Sequence, residues 1–541
     1  MVRSRSSADP WAQPVEVAVV GAGPVGMTAA ALLAARGVKV ALVERNAATS
    51  EEPKAISIDD EALRIYQSAG VAERLVRIVV PGTGTRYYSA SGEPVFHARS
   101  ATPFHLGHPF KNPFAQPDLE RELHAHLAAQ PDVAIRMATT LTGITQHDDE
   151  VELRCEANAD GPVRLRARYV LGCDGGRSTV RELLGIGMTG RSYEDVWLVA
   201  DVLEDPHDER YGMHHGDPRR PHVIVPGLGG RCRYEFLLHP GECLAGVRPP
   251  FELVRALLAP YRPLNPEQVE RAVTYRFNAV VANRWRDGRV FLLGDAAHMM
   301  PPFAGQGLNS GIRDAANLCW KIADRLEGRL AESALDTYEA ERRPHAEATV
   351  RLSTRLGRIV MTTDPRFARR RDRLVKQALR TDVGREFFEH MRYRPEHRYA
   401  TGLLLPDSRY PVGVPIAQPR AFDNAQRKVR MLDEIIGSGW TLAGVGVDAT
   451  HFEHAWSLTE WLDPVRVDVT VSERMASNTT GPPTLIDVDG GLDATFAPYQ
   501  GTFVLLRPDR FVAAAWRPGE TPDLAGPLRR AHSAEPAALA G

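Results

Sequence analysis

The spacing of apolar and polar residues predicts that strands and helices alternate along most of the chain. Mostly apolar runs at 15–20, 38–43 and 290–293 have the length and the β-branched content of buried strands. From Leu308 to Ile322 the apolar residues recur every three or four positions, the period of an amphipathic helix. This order of elements is typical of the α/β class, and strand-rich stretches further along make the predicted fold α+β overall.

A glycine-rich turn follows the first predicted strand directly. Gly21, Gly23 and Gly26 form a GxGxxG pattern, and Glu44 stands at the end of the next strand. In a strand–turn–helix–strand unit, the first glycine permits the tight turn, the second lets the backbone approach a pyrophosphate, and the third lets the helix pack on the sheet. An acid at this distance can bind ribose hydroxyls. The unit therefore predicts a dinucleotide site for FAD or NAD.

Two further turns stand at the ends of predicted strands. The first, at 173–178, reads CDGGRS and precedes a short predicted helix. The second begins with Gly294 and Asp295, passes two prolines and ends in the amphipathic helix. The N–H groups at a helix start suit an anion or an electron-rich carbonyl, and Asp295 can accept hydrogen bonds from a ribitol or ribose hydroxyl. Each turn is therefore a candidate ligand-binding segment.

Composition and charge narrow the class of protein. Among 541 residues, 25% are charged and 43% hydrophobic, with a net charge of −2, as expected for a globular protein without nucleic-acid or membrane partners. Five cysteines without CxxC spacing indicate reduced cytosolic thiols and predict neither a metal site nor thiol redox chemistry. The apolar run at 17–35 contains glycines and a proline that favour strand, turn and helix over a membrane span. Residues 1–14 are predicted to be a disordered tail rather than a signal peptide.

Charged residues between the turns are candidates for catalysis and substrate binding. Asp59, Asp60 and Glu61 precede a predicted helix, where acids cap the N-terminus, and one of them could instead be a catalytic carboxylate. Residues 191–284 are strand-like and carry interspersed aromatic residues and arginines. They form either a sheet that roofs a pocket or a plain antiparallel sheet whose arginines face solvent.

The chain resembles the class A flavoprotein aromatic monooxygenases in three motifs, GAGPVG at 21–26, CDGGRS at 173–178 and GDAAHMMPPFAGQGLNSG at 294–311. The resemblance implies a Rossmann-like FAD-binding domain of the glutathione-reductase type with an inserted antiparallel substrate sheet. The run LLRPDRF at 505–511 is similar to the thioredoxin-like C-terminal domain of the phenol and polyketide hydroxylase branches. The implied domains are an FAD-binding domain at 15–78, 111–190 and 285–402, a substrate-binding sheet domain at 79–110 and 191–284, and a thioredoxin-like domain at 403–541.

The resemblance also implies a reaction. NADH or NADPH reduces bound FAD, the reduced flavin reacts with O2 to give a C4a-hydroperoxide, and a phenol is hydroxylated ortho to its hydroxyl group. The protein supplies position, exclusion of water and proton control. The stretches 53–64, 233–242 and 335–346 are most similar to the branch that acts on 3-(3-hydroxyphenyl)propionate. The expected substrate is therefore 3-(3-hydroxyphenyl)propionate or 3-hydroxycinnamate, in aromatic catabolism.

The motif match assigns cofactor-binding roles to residues of the three turns and of segments beside them. These residues are Gly21, Gly23, Gly26, Glu44, Arg45, Gln116, Arg121, Asp174, Gly175, Arg177, Asp295, Gly307, Leu308 and Asn309. The N–H groups of Leu308 and Asn309 should face the flavin pyrimidine edge, where negative charge develops on reduction. The turn that holds Asp174 and Arg177 is implicated in both FAD and NAD(P)H binding.

The resemblance suggests catalytic residues and leaves the base open. Asp59 aligns with a carboxylate that helps activate the substrate in yeast-type phenol hydroxylases, and His298 is the second candidate, with a packing role as its alternative. The Pro302 carbonyl matches a proline that contacts substrate and hydroperoxide. For a substrate that carries a propionate, bidentate binding by an arginine is expected. The substrate-binding candidates are Arg231, Arg233 and Tyr234.

Alternative functions remain open at this stage. The same chemistry on an aromatic polyketide or another phenol fits the three motifs equally, and Lys54 stands where many relatives have arginine. From other classes, a dehydrogenase would leave two turns unexplained, a flavin-dependent halogenase would need a WxWxIP motif that the chain lacks, and an FAD oxidoreductase without oxygenation or a non-enzymatic FAD-binding protein remains. We expect a cytoplasmic protein with a small aromatic substrate and, by family analogy, a homodimer.

Overall fold

The computed structural model describes residues 14–51, 54–82, 84–99, 104–470 and 482–524. Most of the tail predicted at 1–14 lies outside the described residues. The chain divides into two compact units. The first comprises Met1–Thr102, Pro109–Ala315 and Ala346–Pro395, and the second comprises Pro103–His108, Ala316–His345 and Glu396–Gly541.

The strands of the described residues form three large sheets and one short pair. In chain order they are β1 (Val15–Val20), β2 (Val40–Val43), β3 (Ser57–Ile58), β4 (Thr85–Tyr88), β5 (Pro94–Ala98), β6 (Asn112–Pro113), β7 (Val133–Arg136), β8 (Thr139–Gln146), β9 (Val151–Ala157), β10 (Gly161–Gly172), β11 (Met188–Val202), β12 (Gly212–His215), β13 (His222–Pro226), β14 (Cys232–Leu237), β15 (Val269–Ala282), β16 (Arg286–Asp287), β17 (Val290–Leu292), β18 (His298–Met299), β19 (Arg420–Asp423), β20 (Lys428–Met431), β21 (Thr441–Val445), β22 (Val465–Thr470), β23 (Thr484–Asp487), β24 (Thr502–Leu506) and β25 (Val512–Trp516).

The helices alternate with these strands. They are α1 (Pro24–Ala34), α2 (Asp60–Ser68), α3 (Ala72–Leu75), α4 (Gln116–Ala128), α5 (Thr179–Leu183), α6 (Phe251–Leu258), α7 (Gly307–Leu326), α8 (Thr337–Val360), α9 (Pro365–Ala378), α10 (Asp382–Glu389), α11 (Leu432–Ile436), α12 (Phe452–Thr459) and α13 (Gly491–Phe496). Single 3-10 turns occupy Val76–Ile78, Pro266–Gln268, Gly294–Ala296, Pro302–Ala304, Glu332–Asp336, Ala449–His451, Glu460–Leu462 and Ala497–Tyr499.

The first sheet has a parallel centre that brings the three predicted turns together. Its parallel strands run in the order β17-β10-β1-β2-β7, and the antiparallel β8 and β9 extend β10. Val20 pairs with Gly172, which in turn pairs with Leu292, so β1, β10 and β17 end side by side. Because parallel strands that end in register release their chains at one edge of the sheet, the turns after them start as neighbours.

The second sheet has one face that packs into an apolar core and one face that is open. Its order is β18-β15-β11-β14-β13-β12-β4-β5, antiparallel except for the pairing of β12 with β4. Successive side chains of a strand point to opposite faces. In β14 the side chains of Tyr234 and Phe236 pack into the apolar core, whereas Glu235 between them points the other way.

The second unit has a sheet of its own, in the order β20-β19-β23-β22-β21-β24-β25. Parallel pairing joins β21, β22 and β23, and β24 runs antiparallel to β21. The unit also encloses an ion cluster in which Glu341 accepts hydrogen bonds from Lys321 at 2.8 Å and from Arg507 at 2.7 Å. Burial alone would raise the pKa of Glu341, but Arg507 and Lys321 outweigh it and hold that pKa at about 2.

The predicted mixed α/β fold is confirmed. The apolar run at 17–35 is β1, a turn and α1, as its glycines and proline indicated. Among the described helices, none combines the length and the apolar content that a membrane crossing requires.

Candidate active site

The three turns open into one cavity of about 420 Å³. The turn segments that line it are Gly21–Val25, Cys173–Gly175, Leu293, Asp295 and Gly305–Leu308. The facing wall comes from the second sheet and the segments next to it, and its lining residues are Gly84, Lys111, Gly212, His214, Val223, Val225, Glu235 and Tyr275. The cavity therefore has a turn wall, made of strand ends and helix starts, and a sheet wall, made of strand side chains.

The first glycine turn has the close approaches that its sequence predicted. Gly21 has φ +104°, and a Cβ on Gly26 would overlap the Gly21 carbonyl oxygen. By contrast, a Cβ on Gly23 would meet no atom within 4 Å, so the Gly23 backbone is open to the cavity. Gly23 is also the N-cap of α1, and no side chain among the described residues caps it. The helix start therefore presents backbone N–H groups and a positive dipole end to a ligand.

Glu44 lies at the end of β2 and tightens the same turn. One carboxylate oxygen accepts a hydrogen bond from the Ala22 N–H at 2.8 Å, and the other accepts from the Asn46 N–H at 2.9 Å. The side chain lines the cavity beside Arg45, whose own side chain is exposed. Glu44 is therefore placed to meet a ribose at the outer end of the turn wall.

Two more acids reach the turn wall from β10 and β17. Asp174 accepts hydrogen bonds from the Ser178 hydroxyl and from the Val180 N–H at 3.0 Å, which ties the turn to α5. Burial raises the pKa of Asp174 while these two donors oppose the rise. Asp295 is exposed and lines the cavity, and desolvation by the surrounding protein raises its pKa against the opposing charges of His298 and Lys54. Asp295 is thus available to hydroxyl donors of a ligand.

The start of α7 forms the inner end of the turn wall. Gly307 and Leu308 line the cavity, whereas Asn309 is fully buried. The Asn309 amide donates to the Gly305 carbonyl at 2.8 Å and to the Ser57 carbonyl at 3.1 Å, so its side chain fixes the turn. Because the first N–H groups of a helix lack intrahelical acceptors, this end offers donors to a ligand edge.

Gln116 lines the cavity, but two arginines predicted to bind cofactor do not. The Gln116 amide accepts from the Ala55 N–H at 2.8 Å and donates to Glu120 at 2.7 Å. Arg121 pairs with Glu51 and Asp118 at the surface, and Arg177 is exposed. The structure therefore does not bring Arg121 and Arg177 to the cavity, because charge pairing or position at the turn tip directs them outward.

Asp59 is buried next to the cavity without lining it. One oxygen caps α2 by accepting from the Ala62 N–H at 2.9 Å, and the other accepts from the guanidinium of Arg313. Gln306, which does line the cavity, lies 3.4 Å from the same oxygen. The geometry thus favours the capping role over direct proton transfer, and Gln306 connects Asp59 to the cavity.

Arg313 is a member of this cluster that the sequence did not single out. It pairs with both Asp59 and Glu61, and burial would lower its pKa were these two acids not raising it. Its position two turns into α7, on the same face as Gln306 and Asn309, is the signal that could have identified it.

His298 is a packing residue of the turn wall rather than a cavity residue. It is fully buried, lies 2.7 Å from Asp314 and tilts against the ring of Trp285 at 5.1 Å. Asp314 also accepts from the Gly294 N–H at 3.1 Å. His298 and Asp314 together hold the third turn against α7, so the catalytic prediction for His298 is not supported.

The three substrate-binding candidates of β14 and its preceding loop lie away from the cavity. Arg231 pairs with Asp118 at 2.9 Å and with Glu270 at 2.8 Å. Arg233 donates to Asp201 at 2.7 Å and to the Lys54 carbonyl at 2.6 Å. Both arginines line a separate cavity of about 40 Å³, room for roughly one water molecule. They are committed to internal partners.

Tyr234 faces the opposite side of the sheet. Its ring is fully buried in the apolar core, and its hydroxyl donates to Asp205 at 3.0 Å. The structure does not bring Tyr234 to the cavity, because strand register gives the cavity-facing position to the neighbouring residue Glu235.

The sheet wall holds titratable residues that sequence reasoning did not assign to the site. Burial raises the pKa of Glu235, with Arg233 opposing, and burial also raises the pKa of Tyr275. Burial lowers the pKa of His214 well below its usual value, and nearby Lys111 lowers it further. The alternation of β12, β14 and β15 could have shown which residues share a face, but not which face the cavity adjoins.

The residues of the turn wall fit a bound FAD. The Gly23 backbone is open, as a pyrophosphate requires, and the acids Glu44 and Asp295 stand where ribose or ribitol hydroxyls need acceptors. Pro302 and Leu308 line the cavity at its inner end, next to the sheet wall. Pro302 and Leu308 are therefore the residues that would adjoin the flavin ring.

The chain is similar to flavin-binding proteins and hydroxylases over most of its length. Residues 14–353 match a family described as the FAD binding domain, and residues 413–531 match the HcaD C-terminal domain. The 3-(3-hydroxy-phenyl)propionate/3-hydroxycinnamic acid hydroxylase of Mycobacterium sp. (strain KMS) is 35% identical, over 95% of this chain and 90% of that protein. A hydroxylase of the same name, numbered 2, from Burkholderia vietnamiensis (strain G4 / LMG 22486) is 37% identical, over 92% and 93%.

A solved structure agrees with these sequence relatives. Aklavinone-11 hydroxylase, in a ternary complex with FAD and aklavinone, superposes with a TM-score of 0.76 and 27% identity, over 96% of this chain and 98% of that one. The family match and the relatives extend over the whole turn wall and sheet wall. The chain therefore belongs to the FAD-dependent aromatic hydroxylases, flavoprotein monooxygenases built on an FAD-binding domain.

Proposed function

We propose that this enzyme uses NADH or NADPH and O2 to hydroxylate a phenolic acid ortho to its hydroxyl group, with 3-(3-hydroxyphenyl)propionate or 3-hydroxycinnamate as substrate. The observation that carries the proposal is the cavity with two unlike walls, one suited to a dinucleotide and the other enclosing space for a second, aromatic molecule. The names of the sequence relatives support this substrate class.

The residues of this chain divide the work between the two walls. Bound FAD would supply the oxygen-activating chemistry once a nicotinamide nucleotide has reduced it. The turn wall positions the cofactor through Gly23, Glu44 and Asp295, and the N–H groups at the start of α7 stabilise negative charge at the inner end. Pro302 and Phe303 line the cavity at this end, and their apolar side chains would help to exclude water.

On the sheet wall, Tyr275 and Glu235 are placed to exchange hydrogen bonds with the substrate hydroxyl. Burial raises the pKa of both groups, with Arg233 opposing the rise at Glu235, so both are shifted toward the form that donates a hydrogen bond. We propose that Asp59 acts through Gln306 as a positioning residue, and that it does not receive the proton itself.

Finer features of the fold belong to the same proposal. The parallel centre of the first sheet supports a Rossmann-like, glutathione-reductase-type domain, and the β21, β22, β24 and β25 arrangement supports a thioredoxin-like one. The predicted domain limits, the homodimer, the cytoplasmic location and the absence of nucleic-acid and membrane partners stay predictions.

The proposed function is tested on purified protein loaded with FAD. Oxidation of NADH and of NADPH is followed with and without 3-(3-hydroxyphenyl)propionate, and products are identified by mass spectrometry. We expect stimulated oxidation and a product heavier by one oxygen atom. Flavin-replete protein that oxygenates neither this acid nor 3-hydroxycinnamate would contradict the proposal.

An aromatic polyketide is the second candidate substrate. It is favoured by the structural similarity to aklavinone-11 hydroxylase, whose complex contains aklavinone. Oxygenation of a polyketide panel without oxygenation of the phenolic acids would identify this alternative.

A further inference from the structure

We propose that Lys111 binds the carboxylate of the aromatic substrate and thereby makes the enzyme select phenolic acids over neutral phenols. The inference rests on the proposed function and names the residue that determines its substrate class. It replaces the arginines Arg231 and Arg233, which are occupied by internal acids.

Lys111 lines the sheet wall of the cavity, and its backbone is held firmly. It has φ 56°, an uncommon conformation for a residue with a side chain. The next residue, Asn112, is fully buried, donates to the Ile58 and Pro109 carbonyls and accepts from the Gly82 N–H. The preceding residue, Phe110, is buried with the Arg394 guanidinium 4.3 Å from its ring centroid. A strained residue fixed from both sides has a defined direction for its side chain.

Lys111 is half-buried, and its ammonium has no acid partner among the described residues. Across the described part of the chain, no hydrogen bond or ion pair engages its side chain. Its titratable neighbours are Arg394, which repels it, and His214, whose pKa is lowered first by burial and then by the charge of Lys111. A desolvated charge without a counterion is costly, and an anionic ligand would remove that cost.

The other cations that line the cavity have different surroundings. Lys54 is close enough to Asp295 and Glu120 to affect the pKa of each, and Arg45 follows Glu44 at the ribose end of the turn wall. Both belong to the dinucleotide side. Lys111 instead belongs to the wall that carries His214 and Tyr275, where the second ligand would lie.

The test compares two ligands that differ only in the charged group. Binding of 3-(3-hydroxyphenyl)propionate and of 3-(3-hydroxyphenyl)propan-1-ol is titrated by the change in flavin absorbance of FAD-loaded protein. The variants are Lys111→Met, which keeps length and removes charge, and Lys111→Arg, which keeps charge. Thermal unfolding verifies that each variant is folded, and Lys111→Gln replaces Lys111→Met if the latter fails to fold.

We expect Lys111→Met to weaken binding of the acid by about 10- to 100-fold, the usual cost of losing a hydrogen bond to a charged group. Binding of the alcohol should change by less than about 3-fold, and Lys111→Arg should retain most of the affinity for the acid. Equal losses for acid and alcohol, or an unchanged affinity for the acid, would overturn the inference alone. Wild-type protein that binds and oxygenates neither compound would overturn the proposed function as well.

Discussion

The two walls of the cavity bind in different ways. The turn wall is built from backbone: an open Gly23, the start of α1 and the start of α7 offer N–H groups whose directions follow from the turns themselves. The sheet wall is built from side chains, and Lys111, His214, Glu235 and Tyr275 reach it from four separate segments. One wall fits a shape common to dinucleotides, and the other carries the side chains of the proposed substrate site.

Because the two walls are built differently, a substitution affects each of them for a different reason. On the turn wall, position matters more than residue chemistry, because a side chain in the wrong place excludes the cofactor. On the sheet wall, the internal partners of a side chain determine whether it can reach the cavity. Arg233 and Glu235 share one face of β14, yet Asp201 holds Arg233 away while Glu235 lines the cavity. A charged residue on this sheet can meet a ligand only if its internal partners leave it facing the cavity, as Glu235 does although Arg233 lies 3.8 Å from it.

Gly23→Asp should break the turn wall most completely. A Cβ at this site meets no atom within 4 Å, and the φ of −74° and ψ of 177° suit an aspartate N-cap. The apoprotein should therefore unfold at the same temperature or slightly above, while the carboxylate repels the pyrophosphate and the purified protein is colourless. Flavin absorbance and thermal unfolding measure both effects.

A matched control for this variant adds the same charge elsewhere. Gly439→Asp also meets no atom within 4 Å, at an exposed position outside the cavity lining. It should retain FAD. If the Gly23→Asp protein purified with a full complement of flavin, the prediction that the pyrophosphate binds at the Gly23 backbone would be wrong.

Asp59→Asn tests whether a predicted catalytic residue is structural. Asparagine still caps α2, but the buried charge facing Arg313 is lost while Glu61 remains. The free energy of unfolding should fall by about 1–3 kcal/mol, less than the ~3–5 kcal/mol expected when a buried charge loses its sole partner. Urea denaturation measures the loss, and Asp59→Ala should cost about 1 kcal/mol more because the cap is lost too.

The outcome in single-turnover assays separates two roles of Asp59. A positioning role predicts that hydroxylation slows by the same factor at every pH. A rate loss in Asp59→Asn that disappears at high pH, where the phenol ionises without help, would show instead that Asp59 is the base.

The turn wall could be predicted from sequence because its chemistry is local. Strand, glycine turn and helix lie within a few consecutive residues, and the mixed α/β fold follows from the same periodicity. The parallel register of β1, β10 and β17 then brings the three turns together, although more than a hundred residues separate β10 from β17 along the chain.

Neither the sheet wall nor the partners of the buried charges around the cavity could be predicted, because their determinants are long-range. Arg313 meets Asp59 across 254 positions of sequence, and Arg233 meets the Lys54 carbonyl across 179. Lys111 depends on a positive φ that no local motif signals. An arginine in a strand pattern looks the same whether an acid pairs with it or a ligand does, so the sequence could not show that Arg231 and Arg233 pair with internal acids.

The affinity for the acid should depend on pH through Lys111. Burial, reinforced by Arg394, lowers the pKa of Lys111 to about 7. Lys111 is therefore mostly protonated below pH 7 and loses its charge as the pH rises through that value. Because the charged form binds the carboxylate, the affinity for the acid should fall by up to about tenfold per pH unit above pH 7. Neighbouring His214 has its pKa held well below the usual value and stays neutral over this range.

Two controls isolate this titration. The neutral alcohol should bind with little pH dependence near pH 7, and Lys111→Arg should bind the acid equally on both sides of pH 7, because arginine stays charged. The same decline in Lys111→Arg as in the wild type would assign the pH dependence to another group.

Tyr234→Phe should have the smallest effect on stability and substrate affinity, because Tyr234 lies on the face of the sheet opposite the cavity. The substitution removes a hydroxyl that donates to Asp205, which also accepts from Arg262 at 3.1 Å, so no buried acid is left unpaired. We expect a loss of about 1 kcal/mol in the free energy of unfolding and an unchanged affinity for the phenolic acid. Tyr275→Phe is the comparison, because Tyr275 is a tyrosine of the same sheet that lines the cavity. Tyr275→Phe should weaken substrate binding, at a similar cost in the free energy of unfolding.

If Tyr234→Phe weakened substrate binding as much as Tyr275→Phe, side-chain alternation would not define which face of the sheet meets the substrate.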